Sequence, residues 1–255
     1  VDAEVDMLLE NKVALVNGTG PNIGIEIVRT LAREGANVAC MDIDASRAEA
    51  AATEARAMGV EAMAVPANST DPEAVKRAVD AAVSAFGAIN VLVSSGSITH
   101  SGTILDTEIE EWRHVIDVTL TGHFVVGQAA ARQMVAQGTG GAIVNVASTS
   151  GHRGAARAIA SAKGGILNMT RSMAIQLAPH GIRVNSVTPT QTGIPVAGGT
   201  SREDGPPPKN IPLGRWGRVS DQANAVLFLA SPNADFITGI DVPVDGGLLA
   251  VFPSE

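Results

Sequence analysis

Short, almost uninterrupted apolar runs alternate along the chain with longer stretches in which apolar residues recur at helical spacing. The runs at 13–16, 37–41, 62–65, 91–93, 142–146 and 182–187 predict strands. The stretches at 25–34, 46–58, 72–86, 108–137 and 158–177 predict helices. The strands do not alternate apolar and polar residues, as a strand with one wet face would. They are apolar throughout, which suits strands covered on both faces. Strand and helix in strict alternation predict an α/β fold, a doubly wound parallel sheet with right-handed crossovers and helices on both faces. No linker divides the pattern, so residues 1–255 read as a single Rossmann-type domain. The exception is 198–212, rich in Gly, Pro and charge. It follows a strand's carboxyl end, where such sheets bind ligands, and is expected to act as a lid-like loop.

Composition narrows the class. With 45% hydrophobic residues but only 3% aromatic, the core must be built from Ala, Val, Ile and Leu. A net charge of −8, with no basic run, argues against nucleic acid as a partner. No apolar stretch is long enough to span a membrane, and the acidic first residues do not read as a secretory leader. Cys40 is the sole cysteine and the five histidines are scattered, so neither a disulfide framework nor a metal site is expected. These features predict a cytoplasmic protein. The chain also contains no tyrosine, which matters below.

Candidate chemistry begins after the first strand, at Asn17-Gly18-Thr19-Gly20-Pro21-Asn22-Ile23-Gly24. Glycines between a strand and a helix let the backbone approach a pyrophosphate, and the helix offers its first N–H groups to the anion. Asp42, at the end of the second strand, is spaced to hydrogen-bond a ribose 2′-hydroxyl. Its carboxylate would repel a 2′-phosphate, so the expected cofactor is NAD rather than NADP. The alternative for Asp42 is a place at the start of the next helix.

Over nearly its whole length the chain resembles the short-chain dehydrogenase/reductase family. The resemblance rests on this turn, on Ile143-Val144-Asn145-Val146-Ala147-Ser148, Ala162-Lys163-Gly164-Gly165-Ile166 and Gly181-Ile182-Arg183-Val184-Asn185-Ser186-Val187, and on Ile237-Thr238-Gly239 with Val244-Asp245-Gly246-Gly247. It implies a sheet of order 3-2-1-4-5-6-7 and a tetramer built on the long helices and the C-terminal segment. It implies cofactor contacts at Gly18, Asn22, Ile23, Gly24, Asp42, Asn68 and Pro189, and catalytic roles for Ser148 and Lys163. The chain also departs from the family pattern. Asn22 stands at the middle glycine of the turn, Pro21 removes an N–H donor, and Ser94-Ser95-Gly96-Ser97 replaces an Asn-Asn-Ala-Gly segment. Asn68 replaces an Asp, Thr190 a Gly, and Ile194 a Thr that would contact the nicotinamide. Most consequentially, the family's catalytic Tyr position is Ile159, and the Asn supporting its proton-relay water is Thr119.

Transfer of a hydride to or from a carbinol carbon needs a proton to leave or reach its oxygen, and isoleucine has nothing to offer. Histidine could substitute. His152, four residues past Ser148 and beside Arg153, a possible anion ligand, is the foremost candidate, ahead of His100 and His123. His114 and His180 carry no assigned role. Three functions follow. The accumulated departures point first to a non-catalytic or impaired subunit, a pseudoenzyme with weak or vestigial NAD binding. It would be paired with an active relative in a heterotetramer and, by analogy, act on a hydroxyacyl-CoA. The alternatives are an active NAD-dependent oxidoreductase, as a homotetramer, using Ser148, Lys163 and His152, and a non-redox lyase or hydratase in the same cleft. Gly164 and Gly165 are expected to let helices of two subunits approach closely, and the apolar tail from Leu248 to need burial.

Overall fold

The structure is a computed structural model and describes residues 7–154, 158–194, 200–206 and 208–251. Seven parallel strands form one sheet: β1 (Val13–Asn17), β2 (Asn37–Met41), β3 (Ala62–Ala64), β4 (Val91–Ser94), β5 (Gly141–Val146), β6 (Ile182–Pro189) and β7 (Asp241–Val244). Their spatial order is β3-β2-β1-β4-β5-β6-β7, with every neighbouring pair parallel. This is the doubly wound order that the resemblance implies, with the direction of winding reversing between β1 and β4. The helices are α1 (Ile23–Arg33), α2 (Ala45–Arg56), α3 (Pro72–Phe86), α4 (Ile109–Ile116), α5 (Gly122–Gln137), α6 (Ala158–Leu177) and α7 (Val219–Ala230).

Apolar runs become two-faced strands because successive side chains point to opposite sides. Ala14 and Val16 enter one core with Ile27, Leu31, Val226 and Leu229, under α1 and α7. Val13 and Leu15 enter the other with Val75, Val79, Val126 and Met134, under α3 and α5. Local chemistry sets the helix starts: the carboxylates of Asp44 and Asp71 cap α2 and α3 through backbone N–H groups, and Pro72 occupies the first turn of α3.

Two elements depart from the sequence pattern. The single helix expected over 108–137 is interrupted by a π-helical turn, Asp117–Thr121, between α4 and α5. Helical periodicity alone does not reveal one inserted residue of winding. Helix α7 lies beyond the elements that the pattern predicts. Gly164 and Gly165 are also closely approached within the chain itself. A side chain at Gly165 would meet Leu120, and one at Gly164 would rest on the Gly151 carbonyl.

The carboxyl ends of β1, β4, β5 and β6 gather the candidate residues at the switch in winding. Gly18 is in the left-handed region at φ +84, and a Cβ there would stand 2.5 Å from the Gly96 nitrogen. The turns after β1 and β4 are thus pressed together. We expect Gly18→Ala to cost at least about 2 kcal/mol, from backbone strain and overpacking together. Urea unfolding of the two proteins measures this, and an unchanged midpoint would contradict the packing described.

Candidate functional site

The turn after β1 presents what an anion would need. Among the described residues the N–H groups of Ile23 and Gly24, at the start of α1, have no protein acceptor. The buried Thr19 hydroxyl has no partner either. Gly24 fits only because it lacks a Cβ, which would collide with the Gly18 carbonyl oxygen. Asp42 is buried, and its carboxylate accepts the Thr19 and Asp44 N–H groups, each at 3.0 Å. It is not the cap of α2, a role taken by Asp44. Asp42 therefore fastens the turn after β1 to the end of β2 and keeps lone pairs for a further donor. These groups fit a dinucleotide with a free ribose 2′-hydroxyl.

Asn22 does something the sequence pattern does not foretell. Its side chain reaches across to the segment after β6, donating to the Ile194 carbonyl at 2.8 Å and accepting from the Ile194 N–H at 3.3 Å. It packs against Gly193, where a Cβ would collide with the Asn22 amide oxygen. An amide thus ties the turn after β1 to the segment beyond β6. Asn68 is exposed, and its side-chain oxygen is occupied by the Thr70 N–H and hydroxyl. Pro189 is buried at the end of β6. Of the expected lid, residues 198, 199 and 207 lie outside the described residues. Nearby, Arg202 donates to the Thr192 carbonyl at 3.3 Å.

The second group lies at the end of β5. Lys163 is 3% exposed and its Nζ donates to the Val146 carbonyl at 2.6 Å. Burial pushes its pKa down to about 7. Two residues beyond Val146, the Ser148 hydroxyl accepts from the Ser150 N–H at 3.2 Å and from the Ser150 hydroxyl at 2.9 Å. The following turn is pressed onto α6, since a Cβ on Gly151 would stand 2.7 Å from the Lys163 carbonyl carbon. Ser148 and Lys163 are thus anchored at the same strand end. Ile159, one helical turn before Lys163, is half-buried. Thr119 is buried, and its hydroxyl is bonded to the Ile98 backbone at 3.3 and 3.4 Å.

His152 has a defined partner. Its Nε2 lies 2.8 Å from the carboxylate of Asp241, which also accepts the hydroxyls of Ser186 and Thr188 at 2.6 and 2.9 Å. The carboxylate orients the ring and leaves Nδ1 available. No local pattern could have revealed Asp241, which is 89 residues away. Arg153 donates to the Leu248 carbonyl, holding the C-terminal turn rather than standing free for an anion. His100 pairs with Glu111 at 3.0 Å. Asn145, quoted above only as part of a strand, is fully buried beside these groups. Among the described residues no cluster of His, Cys, Asp or Glu could hold a metal ion, and no helix is long and apolar enough to cross a membrane.

Comparison with known proteins agrees with this architecture. The family model described as enoyl-(acyl carrier protein) reductase matches residues 18–249. The chain is 37% identical over 244 residues to trans-4-hydroxycyclohexanecarboxylate dehydrogenase of Sinomonas cyclohexanicum, covering 92% of each chain. Among solved structures, it is similar to a short-chain type dehydrogenase/reductase from Mycobacterium marinum. That match has a TM-score of 0.87 and 32% identity, and covers 96% of this chain and 98% of the other. NAD+-bound xylitol dehydrogenase matches with a TM-score of 0.86 and 32% identity over 94% and 99% of the two chains.

Two outcomes follow from the geometry. If the Asn22 amide competes with a dinucleotide, Asn22→Gly tightens NAD binding about tenfold, the worth of one or two modest hydrogen bonds. NADP should bind more weakly than NAD to both proteins, because Asp42 repels a 2′-phosphate. Calorimetric titration with each nucleotide measures both differences. Lys163, whose folded pKa of about 7 lies below its ordinary 10.5, destabilises the fold fully at acid pH. That penalty fades as pH rises from 7 towards 10.5, where the unfolded chain still binds the extra proton. Lys163→Met should therefore gain a few kcal/mol over the parent near pH 6 and little near pH 10.5, read from urea unfolding at each pH.

Proposed function

Because the chain belongs to the short-chain dehydrogenase/reductase family, we propose that it is an active oxidoreductase moving a hydride between NAD and a secondary hydroxyl or the corresponding ketone. The observation that carries this reading is Lys163, an ammonium kept at 3% exposure with one backbone carbonyl as its protein partner. A buried charge of this kind is costly to keep unless it acts on something in the cleft. Bound NAD supplies the hydride acceptor. The residues to hold it are Thr19, Ile23, Gly24 and Asp42, with the Asn22 amide moving aside.

The chain's own residues would handle the proton and the oxygen. Ser148, oriented by Ser150, can hydrogen-bond the substrate oxygen. His152, oriented through Nε2 by Asp241, can take the hydroxyl proton on Nδ1 as the alcohol is oxidised and return it in the reverse direction. Lys163 raises the local positive potential where the alkoxide character develops. A hydroxyacyl thioester is one candidate substrate by analogy. The buried Cys40 thiol suits a reducing cytoplasm.

A second reading has its own support. The Asn22 bridge and the absence of any tyrosine favour a non-catalytic subunit that assembles with an active relative. An apolar groove of about 370 Å³ on α5 and α6, lined by Phe124, Val135, Met173 and Leu177 among others, supports subunit association in either case. The purified chain assayed with NAD on a panel of secondary alcohols separates the two. The first reading expects turnover by a homo-oligomer, reduced about 100-fold or more by Lys163→Met and by His152→Ala. Absence of turnover, with a second polypeptide in the intact complex by mass analysis, would establish the second reading instead.

A further inference from the structure

His123 is fully buried on the first turn of α5, immediately after the π-helical turn, and neither ring nitrogen has a hydrogen-bond partner among the described residues. The backbone at Ser94 and Thr119 lies close enough to the ring to favour its charged form weakly, without completing a geometric hydrogen bond. Burial first, and then the charge of Lys163, push its pKa down to about 3, so the imidazole is neutral at ordinary pH. Asn145, also fully buried, donates its amide to the Thr170 hydroxyl at 3.0 Å, which leaves its Oδ1 without a partner. Asn145 and Ser94 are direct neighbours in the β4–β5 register, and Val146, which holds Lys163, is the next residue. The unpaired atoms and the buried ammonium thus belong to elements at the carboxyl ends of two adjacent strands, and the Lys163 charge acts on His123.

Donors and acceptors there can be counted. The Lys163 ammonium has three N–H groups and donates one to protein. Neutral His123 has one N–H and one accepting nitrogen, and Asn145 Oδ1 is a further acceptor. Left dry, each of these groups would carry an uncompensated desolvation cost. Water, with two donors and two acceptors, has the hydrogen-bonding capacity to serve a lysine N–H, the imidazole and the amide oxygen together. Among the described residues, the charged or titratable groups on the adjoining α4 and π-helical turn, Glu110, Glu111, Arg113, His114 and Asp117, are all exposed. The Thr119 hydroxyl is occupied by Ile98.

We infer that His123 is a positioning residue for Lys163, joined to it through buried water that Asn145 shares. The neutral ring accepts where the ammonium donates, so it holds the charged form of the lysine in place. The catalytic meaning of this coupling rests on the hydride-transfer reading, but the coupling itself belongs to the folded chain.

The test needs neither cofactor nor substrate. The chain has four lysines, Lys12, Lys76, Lys163 and Lys209. With lysine labelled at 13Cε, the Lys163 signal of the full chain can be identified by its loss in Lys163→Met and titrated by NMR. His123→Leu, which removes the acceptor, should lower the Lys163 midpoint by about one pH unit, a tenfold change in proton affinity. His123→Gln, which restores an acceptor, should bring it back towards the parent value. An unchanged Lys163 midpoint in folded His123→Leu would overturn the inference. If that variant does not fold, a crystal structure of the parent chain decides. Ordered water within hydrogen-bond distance of both His123 and Lys163 supports the coupling, and a dry gap refutes it. A chain inert on every alcohol yet showing the shift would remove only the hydride-transfer reading. An active chain without the shift would remove only this inference.

Discussion

Holding the Lys163 ammonium against the Val146 carbonyl, away from bulk solvent, is the constraint on which the rest of the site depends. A charge in that position raises its own solvation cost and depresses its proton affinity. It lowers the proton affinity of His123 as well. The surrounding polar groups, Ser94, Thr119, Asn145 and Thr170, are all buried on strands or helices rather than on loops. Their positions are therefore set by the sheet and by helix packing, which cannot shift one of them without disturbing the core. The tight turn at Gly151, pressed onto α6, extends the same rigidity to Ser148.

Two opposing features define the cleft beside this lysine. The turn after β1 has free N–H groups and a carboxylate suited to a dinucleotide, while Asn22 ties that turn to the segment after β6. An amide bridge of two hydrogen bonds is weak compared with what a dinucleotide gains from a helix N-terminus and a buried pocket. The bridge is thus better suited to tune affinity than to abolish it. His152 and Asp241 add a polar pair at the other margin of the site, joined to Ser186 and Thr188 on β6. On the hydride-transfer reading, with isoleucine at position 159, proton transfer would fall to residues of this kind.

Much of this architecture was legible in the sequence because it follows from short-range periodicity. Continuously apolar runs become doubly covered strands, and their alternation with helical stretches dictates the winding. Asp42 and the Gly18–Gly24 turn were legible because a strand–turn–helix–strand unit sets the acidic residue about 20 residues beyond the turn. The π-helical turn at Asp117–Thr121 was not, since a helix with one extra residue keeps nearly the same apolar pattern. At Gly164 and Gly165, spacing shows that a small residue is needed but not which surfaces come close, and within the chain these are the Gly151 carbonyl and Leu120.

By itself, then, the sequence determined the α/β class, the strand-by-strand covering of the sheet, the Gly-rich turn with Asp42 at the end of the next strand, and the absence of any tyrosine. Each of these is a property of residue type at local spacing. Only the tertiary structure decided what the long-range partners are: Asp241 for His152, Ile194 for Asn22, Leu248 for Arg153, and the Lys163 charge for His123. Those partners are separated by tens of residues, up to 172 for the Asn22 bridge. They meet only because the sheet order brings distant strand ends together, and a hydrogen bond depends on where two atoms finish in space and not on how far apart they lie along the chain.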